Sequence, residues 1–304
     1  MNQMEIPNQE IILPELEKRD IRLFLKREDT IHPFISGNKY RKLKYNLIEA
    51  KNKGFNTLLT FGGAYSNHIA ATAYAGHESS LKTIGVIRGE ELIHSWQENP
   101  TLRLAKEHGM QLHFVSREAY RKKEHPDFIA DLEKQFGPFY LIPEGGTNSF
   151  AVKGCEEILT KDDTQFDFVC CCVGTGGTIS GLINSSLPNQ TVLGFPALKG
   201  DFLKEDIYTF VQKDNWKLIL DYLFGGYAKI NKELIEFINW FKSKTGIPLD
   251  PIYTGKMMFG ILDLIKKGKF ESGSQILAIH SGGLQGIQGM NLVLKRKNLP
   301  ELDI

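Results

Sequence analysis

Cysteine is scarce in this chain: four residues in 304, three of them consecutive at Cys170, Cys171 and Cys172. That scarcity excludes a disulfide-built scaffold. Neighbouring side chains of a strand point to opposite faces, so the three cannot converge on one tetrahedral metal; they are expected, like Cys155, to be buried. Long apolar runs are also missing, because Asp, Glu or Lys interrupts every hydrophobic stretch before it reaches bilayer length. An excess of charge of either sign is absent: 37 basic against 36 acidic side chains leave a formal charge of +1. This balance gives no electrostatic footprint for nucleic acid or an anionic membrane, and a small-molecule partner is expected. The opening MNQMEIPNQEIILPELEKRD has neither a basic leader nor an apolar signal core, which sets the expectation of a cytoplasmic protein. There is no internal repeat and no low-complexity linker. What is present is ordinary globular composition, 41% hydrophobic and 24% charged, at a length where one core saturates and two domains are expected.

From about Phe55 short apolar runs alternate with helical stretches closed by glycine, the pattern of β-α units feeding a parallel sheet. TLLTFG reads as a strand, SNHIAATAYAG as a helix ending at Gly76, and LKTIGVI as the next strand. Asn99, Pro100 and Gly109 punctuate a helix as N-cap, first position and stop. QLHFVS, HPDFIADLEKQFG and FYLIPEGG continue the alternation as strand, helix and strand. A second series opens with FDFVCCCVGTGGT, whose unbroken apolar run suits a central parallel strand covered on both faces. It continues through TISGLINSS, TVLGFPAL, NKELIEFINWFKSKTG, a helix near Lys256 and the strand QILAIHSGG. The N-terminal IRLFLKRED alternates like an edge strand and is expected to join this second sheet. The fold class is therefore α/β with two open, mainly parallel twisted sheets flanked by helices. Residues 1–43 and 155–304 are expected to form a large discontinuous domain and 44–154 a small one, with the site in the cleft between them.

Five glycine-containing segments carry reactive or hydrogen-bonding side chains and are expected where strands give way to helices, the end of an open α/β sheet at which ligands bind. In Gly174-Thr175-Gly176-Gly177-Thr178, glycines allow close backbone approach, while helix-start amides and two hydroxyls suit a phosphate dianion. The glycine spacing is not that of the dinucleotide fingerprint, and no Lys follows as in a Walker loop. A plain tight turn accounts for the same residues. In Gly37-Asn38-Lys39-Tyr40-Arg41-Lys42-Leu43, a lysine at a helix start is electrostatically misplaced. Lys39 makes sense there as a neutral nucleophilic amine, although a basic helix face explains it as well. Gly62-Gly63-Ala64-Tyr65-Ser66-Asn67-His68 offers Asn67 to a polar ring substituent and Ser66 to a proton. Capping alone also accounts for Ser66 and Asn67, and His68 alone is more simply structural. Ser66 lacks the flanking glycines of a nucleophile elbow, which makes a serine hydrolase a poor fit. Asp250-Pro251-Ile252-Tyr253-Thr254-Gly255-Lys256 and His280-Ser281-Gly282-Gly283 read individually as caps and loops.

Taken together, KRED, SGNKYRKL, GGAYSNH, VGTGGT, DPIYTGK and HSGG resemble, in order and over nearly the whole chain, the fold-type II pyridoxal 5'-phosphate enzymes with a tryptophan-synthase-β-like fold. The resemblance is to the family that joins 1-aminocyclopropane-1-carboxylate deaminase and D-cysteine desulfhydrase. It implies that Lys39 forms the imine with the cofactor and that Asn67 bonds its ring hydroxyl. Gly174, Thr175, Gly176, Gly177 and Thr178 would then cradle the phosphate. Ser66 would serve proton transfer or the substrate carboxylate, Tyr253 would stand near the ring, and Ser281 near the pyridine nitrogen. His68 and Thr254 join Ser66, Asn67 and Tyr253 on the expected substrate side, with the region from Lys199 to Tyr227 alongside. The family's habit implies a homodimer.

Within that resemblance, deaminases carry glutamate where Thr254 stands and an apolar residue where Ser281 stands; desulfhydrases carry hydroxyl residues at both. A carboxylate beside the ring nitrogen would hold it protonated and deepen the electron sink needed to open a cyclopropane. Hydroxyls do so poorly, which suffices when thiolate leaves from Cβ. The expected activity is thus β-elimination from D-cysteine to pyruvate, ammonia and hydrogen sulfide, with the deaminase as runner-up. A racemase or dehydratase, an inactive metabolite-binding protein of the same fold, and a nucleotide-binding module built on GTGGT remain as alternatives.

Overall fold

The computed structural model describes residues 6–198 and 202–303. Ten strands run in the order β1 (Asn8–Ile11), β2 (Arg22–Lys26), β3 (Thr57–Gly62), β4 (Lys82–Arg88), β5 (Gln111–Val115), β6 (Tyr140–Ile142), β7 (Phe168–Val173), β8 (Thr191–Pro196), β9 (Trp216–Leu218) and β10 (Gln275–Ile279). The α-helices are α1 (Pro14–Glu17), α2 (Asn38–Asn52), α3 (Asn67–Glu78), α4 (Pro100–Glu107), α5 (Arg117–Arg121), α6 (Pro126–Phe136), α7 (Ser149–Glu156), α8 (Gly177–Ser185), α9 (Phe202–Tyr208), α10 (Lys232–Thr245), α11 (Thr254–Lys266) and α12 (Gly286–Arg296). Among the described residues no helix is long and apolar enough to cross a membrane.

Two sheets result, ordered β1-β2-β10-β7-β8-β9 and β5-β4-β3-β6. All pairings are parallel except β1 with β2. β7 shows why FVCCCV is apolar throughout. Cys170 and Cys172 face a core with Leu23, Leu25, Phe195 and Ile261, while Val169, Cys171 and Val173 face another with Ile179, Leu182 and Ile279. Among the described residues no group of three or more His, Cys, Asp or Glu side chains is placed to hold a metal.

Three sequence expectations need correction. IRLFLKRED supplies β2, which is not an edge: β1 pairs along its outer side and β10 along its inner side. The strand alternates because one face is more open, not because an edge is free. The helix expected to stop at Gly76 runs on to Glu78, because Gly76 is a packing position. A Cβ there would fall 2.2 Å from the Thr83 methyl on β4. FYLIPEGG is strand only over Tyr140–Ile142; its PEGG then coils into a turn with Gly145 and Gly146 at positive φ.

The expected boundary at residues 43/44 falls inside α2, a continuous helix whose first turn carries Lys39. Its later residues Leu43, Leu47 and Ala50 pack with Leu58, Ala71 and Ala75 beside the smaller sheet. On its other side α2 meets α7 at van der Waals limit. A Cβ at Gly154 would lie 2.0 Å from the Arg41 carbonyl oxygen, and one at Gly181 of α8 would lie 2.5 Å from the Cys155 Cβ of α7. The helices α2, α7 and α8 therefore form a glycine-spaced stack joining the two sheets. The KRED segment braces it: Glu28, fully buried, takes a two-pronged hydrogen bond from Arg41 at 3.0 and 2.8 Å, and Lys26 pairs with buried Asp163 at 2.8 Å.

Gly154→Ala tests the stack. Overpacking a close helix contact costs about 1–3 kcal/mol or more, and chemical denaturation should show a loss of that size. A midpoint unchanged from wild type would contradict the close approach.

Candidate active site

α2 begins at a corner where four other chain segments meet. Gly37 has φ +60°, and a Cβ on it would overlap the Ser281 carbonyl, whose oxygen instead accepts from the Asn38 N–H at 3.2 Å. Only glycine permits both that backbone conformation and that approach. The HSGG turn after β10 is thereby held against the start of α2. Asn38 Nδ2 donates to Thr178 Oγ1 at 2.8 Å, tying the same helix start to the glycine loop after β7. Tyr253 closes the third side: a Cβ at Gly174 would lie 3.4 Å from its phenol oxygen. The DPIYTGK segment follows α10 and not a strand, so only part of the expected strand-to-helix rule applies to it.

Lys39 is half-buried, with Nζ 3.3 Å from the Gly145 carbonyl oxygen. Enclosure lowers its amine from 10.5 to about 7, and the neighbouring charge of Lys42 pushes the same way. The helix-start lysine is thus neutral to a useful extent near physiological pH, as its misplacement suggested. Lys42, one turn later, was passed over in the sequence as part of a basic run. It is 2% exposed, and its Nζ donates to Gly145 O at 3.0 Å, Thr147 Oγ1 at 2.9 Å and Thr175 Oγ1 at 3.4 Å. The i, i+3 spacing from Lys39 was the signal that could have found it. Gly145 is hidden by the strand pattern of FYLIPEGG, and Thr147, just beyond it, belongs to none of the five glycine-containing segments.

The Lys42 ammonium, the Thr147 and Thr175 hydroxyls and the amide-bearing start of α8 form one cluster. A Cβ at Gly177 would sit 2.9 Å from Thr147 Oγ1 and 3.1 Å from Lys42 Nζ. The donor set suits a phosphate dianion. Asn67, at the start of α3, has a buried amide oxygen without a partner. Its Nδ2 would be only 2.9 Å from a Cβ at Gly283, so that glycine leaves the amide clear. Ser66 caps α3, its Oγ accepting from Ile69 N at 3.3 Å, and its hydroxyl proton stays available. Ser281 Oγ lies 3.0 Å from Cys172 Sγ, whose thiol burial pushes up to about 12 and so keeps neutral.

Two expected substrate residues sit differently. His68 is buried behind the 144–146 turn. Thr60 Oγ1 donates to Ile142 O at 2.8 Å and therefore accepts from His68 Nε2–H at 2.8 Å. Burial, with the charges of Lys39 and Lys42, holds its imidazole well below the usual range and neutral. Thr254 Oγ1 is fully engaged by Asp250, donating to Oδ2 at 2.8 Å and accepting from the backbone N–H at 2.9 Å. Asp250 Oδ1 accepts from Ile252 N and Tyr253 N, and Oδ2 also accepts from Thr254 N, so this carboxylate caps α11. Tyr253 is raised well above the usual phenol range, first by burial and then by Tyr227 and Asp250, and remains a proton donor. Of the region from Lys199 to Tyr227, residues 199–201 lie outside the described residues; Tyr227 reaches Tyr253, ring centroids 6.3 Å apart and edge to face.

Two lysines, a phosphate-suited loop and an open amide, gathered where parallel strands end, define a cofactor enzyme, and the chain belongs to the family described as "Pyridoxal-phosphate dependent enzyme", which it matches over residues 5–282. It is 32% identical over 283 residues to a "Putative 1-aminocyclopropane-1-carboxylate deaminase" of Pyrococcus horikoshii, covering 87% of this chain and 85% of that one. It is likewise 32% identical, over 87% of this chain and 73% of the other, to "Bifunctional D-cysteine desulfhydrase/1-aminocyclopropane-1-carboxylate deaminase, mitochondrial" of Arabidopsis thaliana. A solved structure described as "the ACC deaminase homologue" superposes with a TM-score of 0.78 at 30% identity, over 93% of this chain and 91% of that one. Pyridoxal phosphate is the cofactor of this family, and the residues around Lys39 fit it.

The lowered amine gives a pH prediction. Below about pH 7 the neutral fraction of Lys39 rises tenfold per unit, and above it the fraction saturates. Covalent capture of pyridoxal phosphate by cofactor-free protein, trapped with borohydride and read by mass, should therefore climb to about pH 7 and level off. A rate still climbing near the ordinary lysine value of 10.5 would overturn the assignment.

Proposed function

We propose that this chain is a carbon–sulfur lyase that eliminates sulfide from D-cysteine, giving pyruvate, ammonia and hydrogen sulfide with one water consumed. The observation that carries this reading is the neutral corner at Ser281. Its hydroxyl has a neutral thiol, Cys172, for a neighbour, and the nearby Asp250 carboxylate is taken up by three backbone N–H groups and Thr254. A ring nitrogen facing a hydroxyl is weakly polarised, which suffices when the leaving group is a thiolate.

When bound, pyridoxal phosphate supplies the electron sink that weakens bonds at the substrate Cα. The protein's own residues do the rest. Lys42, Thr175, Thr178 and the start of α8 hold the phosphate, and Asn67 donates to the ring hydroxyl. Ser66 orients the substrate carboxylate. Lys39, neutral in part near pH 7, takes the α-proton at Nζ. Tyr253, held as a neutral phenol, gives its proton to the departing sulfur. We further propose that residues 1–43 and 155–304 act as the cofactor-holding unit and 44–154 as the cover, with α2 shared between them. The deaminase reading is retained because the Pyrococcus horikoshii relative bears that name.

Two measurements test this. A panel of D- and L-amino acids and 1-aminocyclopropane-1-carboxylate, assayed for sulfide, pyruvate and 2-oxobutyrate, should give sulfide and pyruvate from D-cysteine fastest, and Lys39→Ala should abolish turnover. Comparable 2-oxobutyrate release from the cyclopropane would turn the assignment to the deaminase. Lys42→Met should weaken cofactor binding by about 10- to 100-fold, the worth of a charge-assisted hydrogen bond. Unchanged affinity by equilibrium dialysis would remove Lys42 from the phosphate site.

A further inference from the structure

A second buried cation lies outside the cofactor cluster. Lys256 stands one turn after Tyr253 on α11 and is 2% exposed. Its Nζ donates to the Leu223 and Gly226 carbonyl oxygens at 3.0 and 2.8 Å. A buried ammonium is costly unless its hydrogen bonds do something. Both acceptors belong to the segment between β9 and α10, where they already close turns with Gly226 N and Lys229 N.

Among the described residues, that segment holds the densest run of left-handed backbone. Phe224 and Ala228 have φ of 49° and 55°, with Gly225 and Gly226 at 89° and 109° between them. Left-handed backbone is sparsely populated by residues with a side chain and persists only where surroundings impose it. Three ties to α11 impose it here. Tyr222 donates to Asp263 Oδ2 at 2.7 Å, Phe224 packs edge-on against Phe259 at 5.0 Å, and Lys256 clasps the loop carbonyls nearest the site. Beyond the clasp, Tyr227 leans on Tyr253 and Tyr253 on Gly174.

We propose that Lys256 is a positioning residue: it holds the 223–228 loop in its left-handed course and thereby fixes Tyr227 against Tyr253 as the substrate-side wall. The inference rests on placing the site at Tyr253. Burial lowers the Lys256 amine to about 8, with Asp250 acting in the opposite sense, so it is charged and able to donate both bonds at neutral pH.

The test uses cofactor-loaded protein. In Lys256→Met, KM for whichever substrate is turned over should rise about tenfold with kcat within about twofold, the signature of lost binding geometry. Tryptic cleavage after exposed Lys229, read without substrate, should quicken by about fivefold or more as the loop opens. Lys256→Arg, which keeps a cation, should return both readings toward wild type. Adding Ala228→Gly to Lys256→Met should recover part of the KM, because glycine accepts positive φ without strain. Wild-type KM and cleavage in Lys256→Met would overturn the proposal, as would loss of cofactor binding with an intact loop. If Lys256→Met does not fold, Lys256→Gln, which keeps a neutral amide donor but loses the charge and the reach, is read by the same criteria. Because cleavage needs no substrate, an incorrect substrate assignment leaves that reading intact.

Discussion

Everything at the site depends on how closely α2, α7 and α8 approach one another. Gly154 lets the α7 backbone touch Arg41 of α2, and Gly181 lets α8 touch Cys155 of α7. The first two turns of α2 carry the two lysines, and the phosphate-suited loop leads into α8. Their separation is set by backbone contact instead of long side chains. Interiors packed to this density transmit displacement, so a methyl group at the seam would move reactive groups several residues away. The Glu28–Arg41 bridge works on the same seam from outside, fixing the rotation of α2 about its axis.

Enclosing two amines one turn apart has an electrostatic result that neither residue gives alone. Lys42 is bound by three oxygens and lowered to about 8, while Lys39 has one carbonyl contact and the repulsion of its neighbour, and falls to about 7. The partner with more hydrogen-bond acceptors keeps its proton and the other gives it up more readily. A phosphate arriving at Lys42 would neutralise that charge, which is consistent with the proposed roles of the pair, a dianion on one side and a carbonyl on the other.

Much of this could be read from the sequence. FVCCCV announced a strand covered on both faces, Asn99-Pro100 a helix start, and the glycine turns the ligand end of the sheets, because period and turn chemistry are local properties. At the candidate site single residues left alternatives open: Lys39 at the positive end of a helix reads also as part of a basic face, and only the joint occurrence of KRED, SGNKYRKL, GGAYSNH, VGTGGT, DPIYTGK and HSGG singles it out. What stayed hidden depends on distant partners. The strand IRLFLKRED looks like an edge until β1 is known to fold back on it. Thr254 looks like a free hydroxyl until Asp250 is seen to hold it. Lys42 looks like one charge among several until Gly145, Thr147 and Thr175, over a hundred residues later, supply its acceptors.

β2 has one neighbour early in the chain and the other very late: Leu23 pairs with Ile276, some 250 residues further on. As synthesis proceeds from the N-terminus, the β1–β2 hairpin waits with an unpaired inner side until β10 emerges, and the HSGG turn that buttresses Gly37 comes directly after it. The smaller sheet, built wholly from residues 57–142, has no such wait. The corner at the start of α2 therefore cannot be completed before β10 and the HSGG turn are present, and a chain cut short before β10 would keep Lys39 and Lys42 while lacking the turn that Gly37 packs against.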